Sequence, residues 1–199
     1  MKSPNTKEQI LNASLNFFSK HGYSGASIRQ IAREVGVRES AIYNHYKSKE
    51  EIFNAILLKY NNKSISKNIL NDDLLDDLTQ PEKFLKHFTS RLIDFWNSPE
   101  ERKFIRVLLM EQFTKIGQKE LSITGHLNEL KSICKLIFEE MIKNNIIKNF
   151  DPSALADEFV GLLFLIRAEQ MSGEKTDNLK AVVKLAENHV DFFWQAVKV

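Results

Sequence analysis

Basic, aromatic and amide side chains cluster between residues 29 and 49 in a pattern that suits contacts with nucleic acid. Arg and Lys neutralise phosphates, Tyr, His and Asn hydrogen-bond to phosphate oxygens, and Arg pairs with guanine in the major groove. Residues 1–49 hold five Lys, three Arg and three Glu, a net charge of +5 in a chain whose total is +2. The segment therefore predicts a footprint for double-stranded DNA. Its outward-pointing candidates are Arg29, Arg33, Arg38, Tyr43, Asn44, His45, Lys47 and Lys49.

Two short amphipathic helices joined by a glycine turn must position these side chains. Ser27 and Gln30 have the spacing of a capping box, which starts the first helix. Gly36 ends that helix, because glycine adopts a positive φ most easily. Two helices, a short turn and an exposed polar second helix predict a helix-turn-helix reader of the major groove. The apolar positions that bury the pair are Ile28, Ile31, Ala32, Val35, Val37 and Ile42.

This segment resembles the N-terminal domain of the TetR (tetracycline repressor-like) family of transcriptional regulators. The family pattern is an Ile-Ala pair, a Gly-Val turn, and Tyr-x-x-aromatic-x-x-Lys-Glu. It occurs here in register as Ile31-Ala32, Gly36-Val37, Tyr43, Tyr46, Lys49 and Glu50. The resemblance covers roughly residues 6 to 53, about a quarter of the chain.

The resemblance implies DNA contacts at Arg29, Glu39, Ser40, Ala41, Tyr43, His45 and Lys49, to which the exposed pattern adds Arg38, Asn44 and Lys47. We expect Tyr43 and His45 to hydrogen-bond to phosphate oxygens, and Lys49 to neutralise a phosphate beside a helix N-terminus. Glu39 either accepts from a cytosine amino group or points away, since phosphate repels a carboxylate. Ala41 leaves only a methyl group for a thymine contact.

The whole chain predicts an all-α fold. Gly and Pro are scarce, at 7 and 4 residues of 199, and helical periodicity runs through almost every segment. Capping boxes at Thr6/Gln9 and Ser48/Glu51 predict two further helix starts. We expect a DNA-binding domain over residues 1–47 and a helical effector-binding and dimerisation domain over 48–199. The later helices are predicted at 81–97, 98–116, 118–147, 151–173 and 178–197.

The acidic stretch at 71–80 is predicted to be a partly flexible connection. Asp72, Asp73, Asp76 and Asp77 favour a solvated face over a metal site, because a calcium loop needs a glycine turn and a glutamate at its twelfth position.

The last two helices carry more apolar surface than one core face needs. In the final helix, one stripe includes Val190 and Phe193, and a second stripe of Leu185, His189, Phe192 and Ala196 is rotated away from it. The preceding helix, with Phe164, is apolar all round, which indicates burial on every side. In the TetR family this pair packs against its twin as a four-helix bundle. We therefore predict a homodimer with Phe164, Val190 and Phe193 in the interface; the alternative is a thick monomeric core.

Aromatic residues are concentrated beyond residue 80. They predict an apolar cavity between helices 81–97 and 118–147, with His87, Arg106, Glu111, His126 or Arg167 as polar anchors. The alternative is plain core packing, and the resemblance favours the cavity because the family binds small effectors. The predicted lining is Phe88, Leu92, Phe95, Trp96, Met110, Phe113, His126, Phe138, Met141 and Arg167.

Catalytic and membrane functions find no support in the spacing of residues. No histidine follows Asp or Glu by three positions, and no nucleophile elbow or phosphate-binding glycine loop occurs. Cys134 is the only cysteine, so we expect no metal, no cofactor and a buried thiol. The longest apolar run, residues 159–166, is too short to span a membrane. The start of the chain has no apolar signal region, so a cytoplasmic protein is expected.

The sequence thus predicts a homodimeric transcriptional regulator, most simply a repressor. It would be released from a palindromic operator by a small hydrophobic or amphipathic ligand. The signal is expected to pass through the helix that starts at Ser48. The alternative is a DNA-bound regulator of the same fold that a protein partner controls.

Overall fold

The computed structural model describes residues 5–61, 65–114, 116, 123–172 and 179–199. These residues are predominantly helical, which confirms the prediction of an all-α fold. The long helix predicted from 118 to 147 continues through Gly125, and its expected start at Gln118 lies outside the described residues. The elements are α1 (Thr6–Gly25), α2 (Ile28–Val35), α3 (Glu39–Tyr43), α4 (Lys49–Asn61), α5 (Ile65–Ile69), α6 (Asp72–Leu75), a 3-10 turn (Asp76–Thr79), α7 (Pro81–Trp96), α8 (Pro99–Glu111), α9 (Ile123–Lys143), α10 (Pro152–Ser172) and α11 (Leu179–Val197).

The chain packs as two compact units, of which the first comprises the described residues within 1–63 and 99–126. Here α1 packs against α2, α4 and α8. Phe18 of α1 is fully buried, and its ring meets Phe53 of α4 edge-on at 5.7 Å. Tyr60 of α4 stacks on Phe104 of α8 at 4.9 Å. Packing therefore groups α4 and α8 with the first three helices, whereas the predicted division at residue 47 is a functional one and stays a prediction.

The second unit comprises the described residues within 64–98 and 127–199. Its last helix, α11, packs against α7 and α10. Three aromatic rings form the centre of this packing: Phe159 meets Phe138 at 5.7 Å and Phe193 at 4.9 Å between ring centroids. A backbone hydrogen bond joins the end of α11 to the segment after α9: the Lys148 N–H donates to the Val197 carbonyl at 2.7 Å.

The acidic stretch after α5 is more ordered than the sequence predicts. It forms α6 and the 3-10 turn, and Asp77 is buried rather than solvated. Its carboxylate pairs with Lys83 Nζ at 2.7 Å and with His87 Nδ1 at 2.9 Å. Hydrogen bonds from Lys83 and His87 hold the pKa of Asp77 below its ordinary value. Asp77 thus ties the turn to α7, and the prediction of a solvated face is wrong for this residue.

Candidate nucleic-acid interface

The reading head, α2 with α3 and the turn between them, has the capping geometry that the sequence predicts. The Ser27 hydroxyl accepts from the Gln30 N–H at 3.2 Å, and the Gln30 side chain accepts from the Ser27 N–H at 2.9 Å. Both halves of the capping box are therefore formed. Gly36 adopts φ 77° and ψ 27°, the left-handed conformation that ends α2 and directs the chain into α3.

One face of α3 is buried and the other is exposed. Ile42 is fully buried and Tyr46, just after the helix, is 4% exposed. Tyr43 is 51% exposed, so its phenol is available to a ligand. Six other predicted DNA-binding residues are also exposed, and three are half-buried. The exposed ones are Arg29, Arg38, Glu39, Ser40, Asn44 and Lys47, and the half-buried ones are Ala41, His45 and Lys49. The predicted DNA-binding residues are thus gathered on the surface of one small helical unit, and their contacts with DNA stay a prediction.

Lys49 lies at the start of α4, as expected, but its ammonium is hydrogen-bonded within the unit. Its ammonium donates to the carbonyl of Tyr23 at 2.8 Å and to that of Ala26 at 2.9 Å. It also lies 4.3 Å from the centre of the Tyr23 ring. Desolvation lowers the pKa of Lys49, although the charge of Glu111 opposes the shift. Two of its three N–H donors are therefore used inside the unit, which argues against a role as a free phosphate ligand.

The carbonyls that Lys49 binds belong to the entry turn, residues 22–27, which comprises the end of α1 beyond its kink at Gly22 and the connection to α2. The turn begins at Gly22, whose φ of 69° and ψ of 170° are accessible essentially to glycine alone. The Tyr23 N–H donates to Glu111 Oε1 of α8 at 2.7 Å. Glu111 was expected in an effector cavity, and the structure places it against this turn. A carboxylate on the same buried helical face as Phe104 and Leu108 is the sequence signal that points to such a role.

The interface residues predicted on the last two helices need correction. Val190 is fully buried and Phe193 is 6% exposed, and Phe193 packs on Phe138 at 5.3 Å between ring centroids. Both therefore belong to the core of their own unit, and Phe164 is half-buried. The stripe of α11 that was selected faces α7 and α10, whereas Leu185, Phe192 and Ala196 of the rotated stripe are exposed and its His189 is buried. Large exposed apolar side chains on these two helices are Leu162, Leu165, Leu179, Leu185 and Phe192.

The predicted effector residues whose side chains the structure describes are divided between the two units. Phe88, Leu92 and Phe138 are fully buried and packed, and Met141 is 6% exposed. Phe113 and Met110 lie in the first unit and are 81% and 44% exposed, so neither side chain lines an enclosed space. Phe95 is half-buried. The His126 side chain lies outside the described residues.

Arg167 and Trp96, both predicted effector residues, adjoin a small cavity of the second unit. The Arg167 guanidinium is 4.7 Å from the centre of the Trp96 ring, and both residues are buried. Beside them, Gln170 donates to Asn97 at 2.9 Å. The cavity is about 10 Å³, room for roughly one water molecule. Core packing is therefore the better description of this region in the present conformation.

The helices of the described ranges differ from bilayer spans in length and apolarity. None of them is both long enough and apolar enough to cross a membrane. Cys134 is free and buried, and burial raises the pKa of its thiol.

Comparison with known proteins gives consistent results for the reading head and for the fold. The sequence model of the family described as "Bacterial regulatory proteins, tetR family" matches residues 10–56. The HTH-type transcriptional regulator SrpR of Pseudomonas putida is 29% identical over 112 residues, which is 56% of this chain and 49% of SrpR. The chain thus spans about half the length of that relative. The biofilm operon icaADBC HTH-type negative transcriptional regulator IcaR of Staphylococcus epidermidis is 24% identical over 162 residues, 80% of this chain and 78% of IcaR.

Among solved structures, the TetR family transcriptional regulator PfmR of Thermus thermophilus shares the fold. Its TM-score is 0.68 at 18% identity, with 97% of each chain covered. The matched segment 10–56 contains the capping box, the Gly36 turn and the buried Ile42 that form the reading head. These relatives are transcriptional regulators and not enzymes. Residues 10–56 therefore form a domain of the tetR family of bacterial regulatory proteins, which confirms the resemblance seen in the sequence, and the chain shares its fold with solved regulators of that family.

Proposed function

We propose that this regulator binds a palindromic operator as a homodimer and represses transcription until an effector releases it. The observation that carries the proposal is the reading head, in which a buried Ile42 orients the exposed Tyr43, Ser40 and Glu39 away from the core. A short helix of this kind enters the major groove in helix-turn-helix proteins. Because its target is the chromosome, the protein acts in the cytoplasm.

The charge of the first unit supports binding to DNA. Residues 1–49 carry a net charge of +5, and Arg29, Arg38 and Lys47 are exposed on or beside the reading head. Such cations release counterions from the duplex, so affinity falls steeply with salt. Glu39 is the exception, and it supports specificity at one base pair through a cytosine amino group rather than affinity.

A second copy of this chain is the proposed occupant of the exposed faces of α10 and α11. Leu162 and Leu165 are 40% and 50% exposed at i, i+3 on α10. Leu185 and Phe192 are 47% and 75% exposed at i, i+7 on α11. Helical spacing puts each pair on one side of its helix. Two such faces related by a two-fold axis give a self-complementary interface, and a two-fold dimer matches a palindromic site.

For the effector we propose the second unit, with the cavity beside Arg167 and Trp96 as the point of entry. Its wall is mostly apolar, with Leu163, Ile166 and Val182 facing one buried cation. A small hydrophobic or amphipathic ligand suits this combination of surfaces. At about 10 Å³ the cavity must widen to admit a ligand, so binding would select a conformation with separated helices.

The packed state of Phe88, Phe138 and Leu92 supports the alternative proposal, control by a protein partner. One measurement separates the two proposals: release of the bound operator is followed while either a small molecule or a candidate protein partner is titrated in. A purified small molecule that releases the operator saturably supports the effector, and release that requires an added protein supports the partner.

In vitro selection of duplexes by the full-length protein tests the proposed DNA binding. We expect enrichment of a palindrome whose half-sites lie about one helical turn, roughly 34 Å, apart. Sedimentation of the complex should give two chains for each palindrome. Failure to enrich any duplex, or binding of one chain to an asymmetric site, contradicts the proposal.

A further inference from the structure

We propose that Glu111 is a positioning residue for DNA binding: from the end of α8 it fixes the entry turn, and thereby the reading head that follows. The inference rests on the proposed binding of DNA. It identifies α8 as a control point in addition to the helix that starts at Ser48.

The first observation is the environment of the Glu111 carboxylate. Glu111 is 5% exposed and lies on the face of α8 that carries Phe104 and Leu108, with the Lys49 ammonium as a charged neighbour. Burial of a charge is unfavourable unless hydrogen bonds compensate for it. Glu111 Oε1 accepts from the Tyr23 N–H at 2.7 Å, and Oε2 accepts from the Thr114 hydroxyl at 2.9 Å. The short first bond joins α8 directly to the entry turn.

The second observation is the space that Gly22 leaves for this carboxylate. A Cβ atom built at Gly22 would lie 2.9 Å from Glu111 Oε1, closer than side chains approach. Gly22 also needs its positive φ of 69° to start the turn. The backbone at residue 22 can thus lie close to the Glu111 carboxylate because glycine has no Cβ atom.

The third observation is that Tyr23 is held on both sides of its backbone. Its N–H binds Glu111 of α8, and its carbonyl accepts from Lys49 of α4 at 2.8 Å. The Tyr23 ring packs on Phe53 at 5.1 Å, so the residue has little freedom to move alone. Because α2 begins at Ile28, only a few residues separate this anchor from the reading head.

The order of the helices along the chain suggests that the contact between Glu111 and Tyr23 can transmit a signal. α8 lies in sequence between α7 and α9, which both belong mainly to the second unit. A change in the second unit that pulls on either end of α8 would therefore reach Tyr23 through Glu111. The hydrogen bond breaks or carries the turn with it, and in both cases the reading head changes its presentation to DNA.

The test compares variants of the full chain on a duplex that the wild-type protein itself has selected. Glu111→Ala removes the acceptor, Glu111→Gln keeps a neutral acceptor of the same size, and Thr114→Val removes the other partner of the carboxylate. Hydrogen exchange is followed at the Tyr23 amide and, as a control, at the amides of α1 that precede its kink at Gly22. If Glu111→Ala does not fold, Glu111→Leu replaces it, because leucine keeps most of the volume without an acceptor.

We expect Glu111→Ala to bind the duplex about tenfold more weakly, the effect of losing one hydrogen bond to a charged group. Its Tyr23 amide should exchange faster while the α1 amides keep their protection, and Glu111→Gln and Thr114→Val should stay close to wild type. Wild-type affinity in a variant whose Tyr23 amide exchanges freely would overturn the proposal. Equal loss of protection at Tyr23 and throughout α1 before Gly22 would overturn it too, since Glu111 would then only stabilise the fold. Failure of the wild type to select any duplex concerns the proposed function instead.

Discussion

Replacement of Lys49 by methionine separates two roles that a lysine at the start of α4 can have. The substitution keeps most of the apolar stem and removes the ammonium, which donates to Tyr23 and Ala26 at 2.8 and 2.9 Å. Lys47 offers a matched control, because it lies two residues earlier and its side chain is exposed. Because the Lys49 ammonium is engaged within the first unit, Lys49→Met should act on stability and Lys47→Met on DNA binding.

The expected loss of stability in Lys49→Met follows from the contacts of the ammonium. A hydrogen bond from a charged group contributes roughly 1.5–3 kcal/mol, and a partly exposed cation–π contact roughly 0.5–1 kcal/mol. Lys49 is half-buried, so water can rehydrate the two carbonyls and offset part of the loss. We therefore expect the free energy of unfolding to fall by about 2 kcal/mol, which lowers Tm by about 4–8 °C for a chain of this size.

Urea denaturation and operator titration over a range of salt concentrations measure the two effects separately. Lys47→Met should leave the urea midpoint near that of the wild type. It should reduce the slope of log affinity against log salt by about 0.9, the value for one phosphate contact. The reasoning about Lys49 is refuted if Lys49→Met unfolds at the wild-type midpoint and loses that same slope. The ammonium would then leave Tyr23 for a phosphate when DNA binds.

Three further predictions concern the interface, a buried histidine and the turn of the reading head. Phe192→Ser should shift sedimentation towards the monomer, because Phe192 is exposed on the proposed interface. Its neighbour Phe193 is buried, so Phe193→Ala should instead lower the free energy of unfolding by about 3–5 kcal/mol through loss of core packing. If Phe192→Ser stays fully dimeric, the interface lies elsewhere. Burial lowers the pKa of His189 from its ordinary 6.5, against the hydrogen bond to the Phe159 carbonyl. Below about pH 6.5 His189 binds a proton in the unfolded chain but not in the folded protein, so the free energy of unfolding falls as the pH falls. The urea midpoint of His189→Gln should fall less over the same pH range. Gly36→Ala should lower the free energy of unfolding by about 1–2 kcal/mol in urea denaturation, because a residue with a Cβ atom is strained at a φ of 77°. No atom lies within 4 Å of the new methyl group, so the loss would come from the backbone alone. An unchanged urea midpoint would mean that the turn relaxes.

Local signals in the sequence predicted the reading head well. Ser27 and Gln30 form the expected capping box, and Gly36 has the expected left-handed conformation, because both depend only on neighbouring residues. The prediction at Thr6 was wrong by one residue, since Asn5 provides the cap by accepting from the Lys7 N–H. At Ser48 the hydroxyl accepts from the Glu51 N–H as predicted, while the Glu51 carboxylate accepts from the Lys47 N–H instead of that of Ser48.

Side-chain roles that depend on distant residues were harder to predict. Periodicity gave two apolar stripes on α11 but could not tell which one faces the core, so Val190 and Phe193 were assigned to the interface although both are buried. The direction of a stripe depends on how α7 and α10 pack against the helix, and no pattern within α11 records it. Aromatic content was ambiguous in the same way, because Phe88 and Phe138 can fill a core or line a cavity with equal apolarity.

Lys49 and Glu111 show why charge type alone does not locate a binding site. The family resemblance implied a phosphate contact for Lys49, and Glu111 was one of five alternative polar anchors for an effector cavity. In the structure they bind opposite sides of one residue: Lys49 donates to the carbonyl of Tyr23, and Glu111 accepts from its N–H. A turn whose backbone polar groups are buried needs such partners as much as a ligand does. The functional consequence is that the reading head is held by α4 and α8 together, so a signal that moves either helix can alter how this regulator meets DNA.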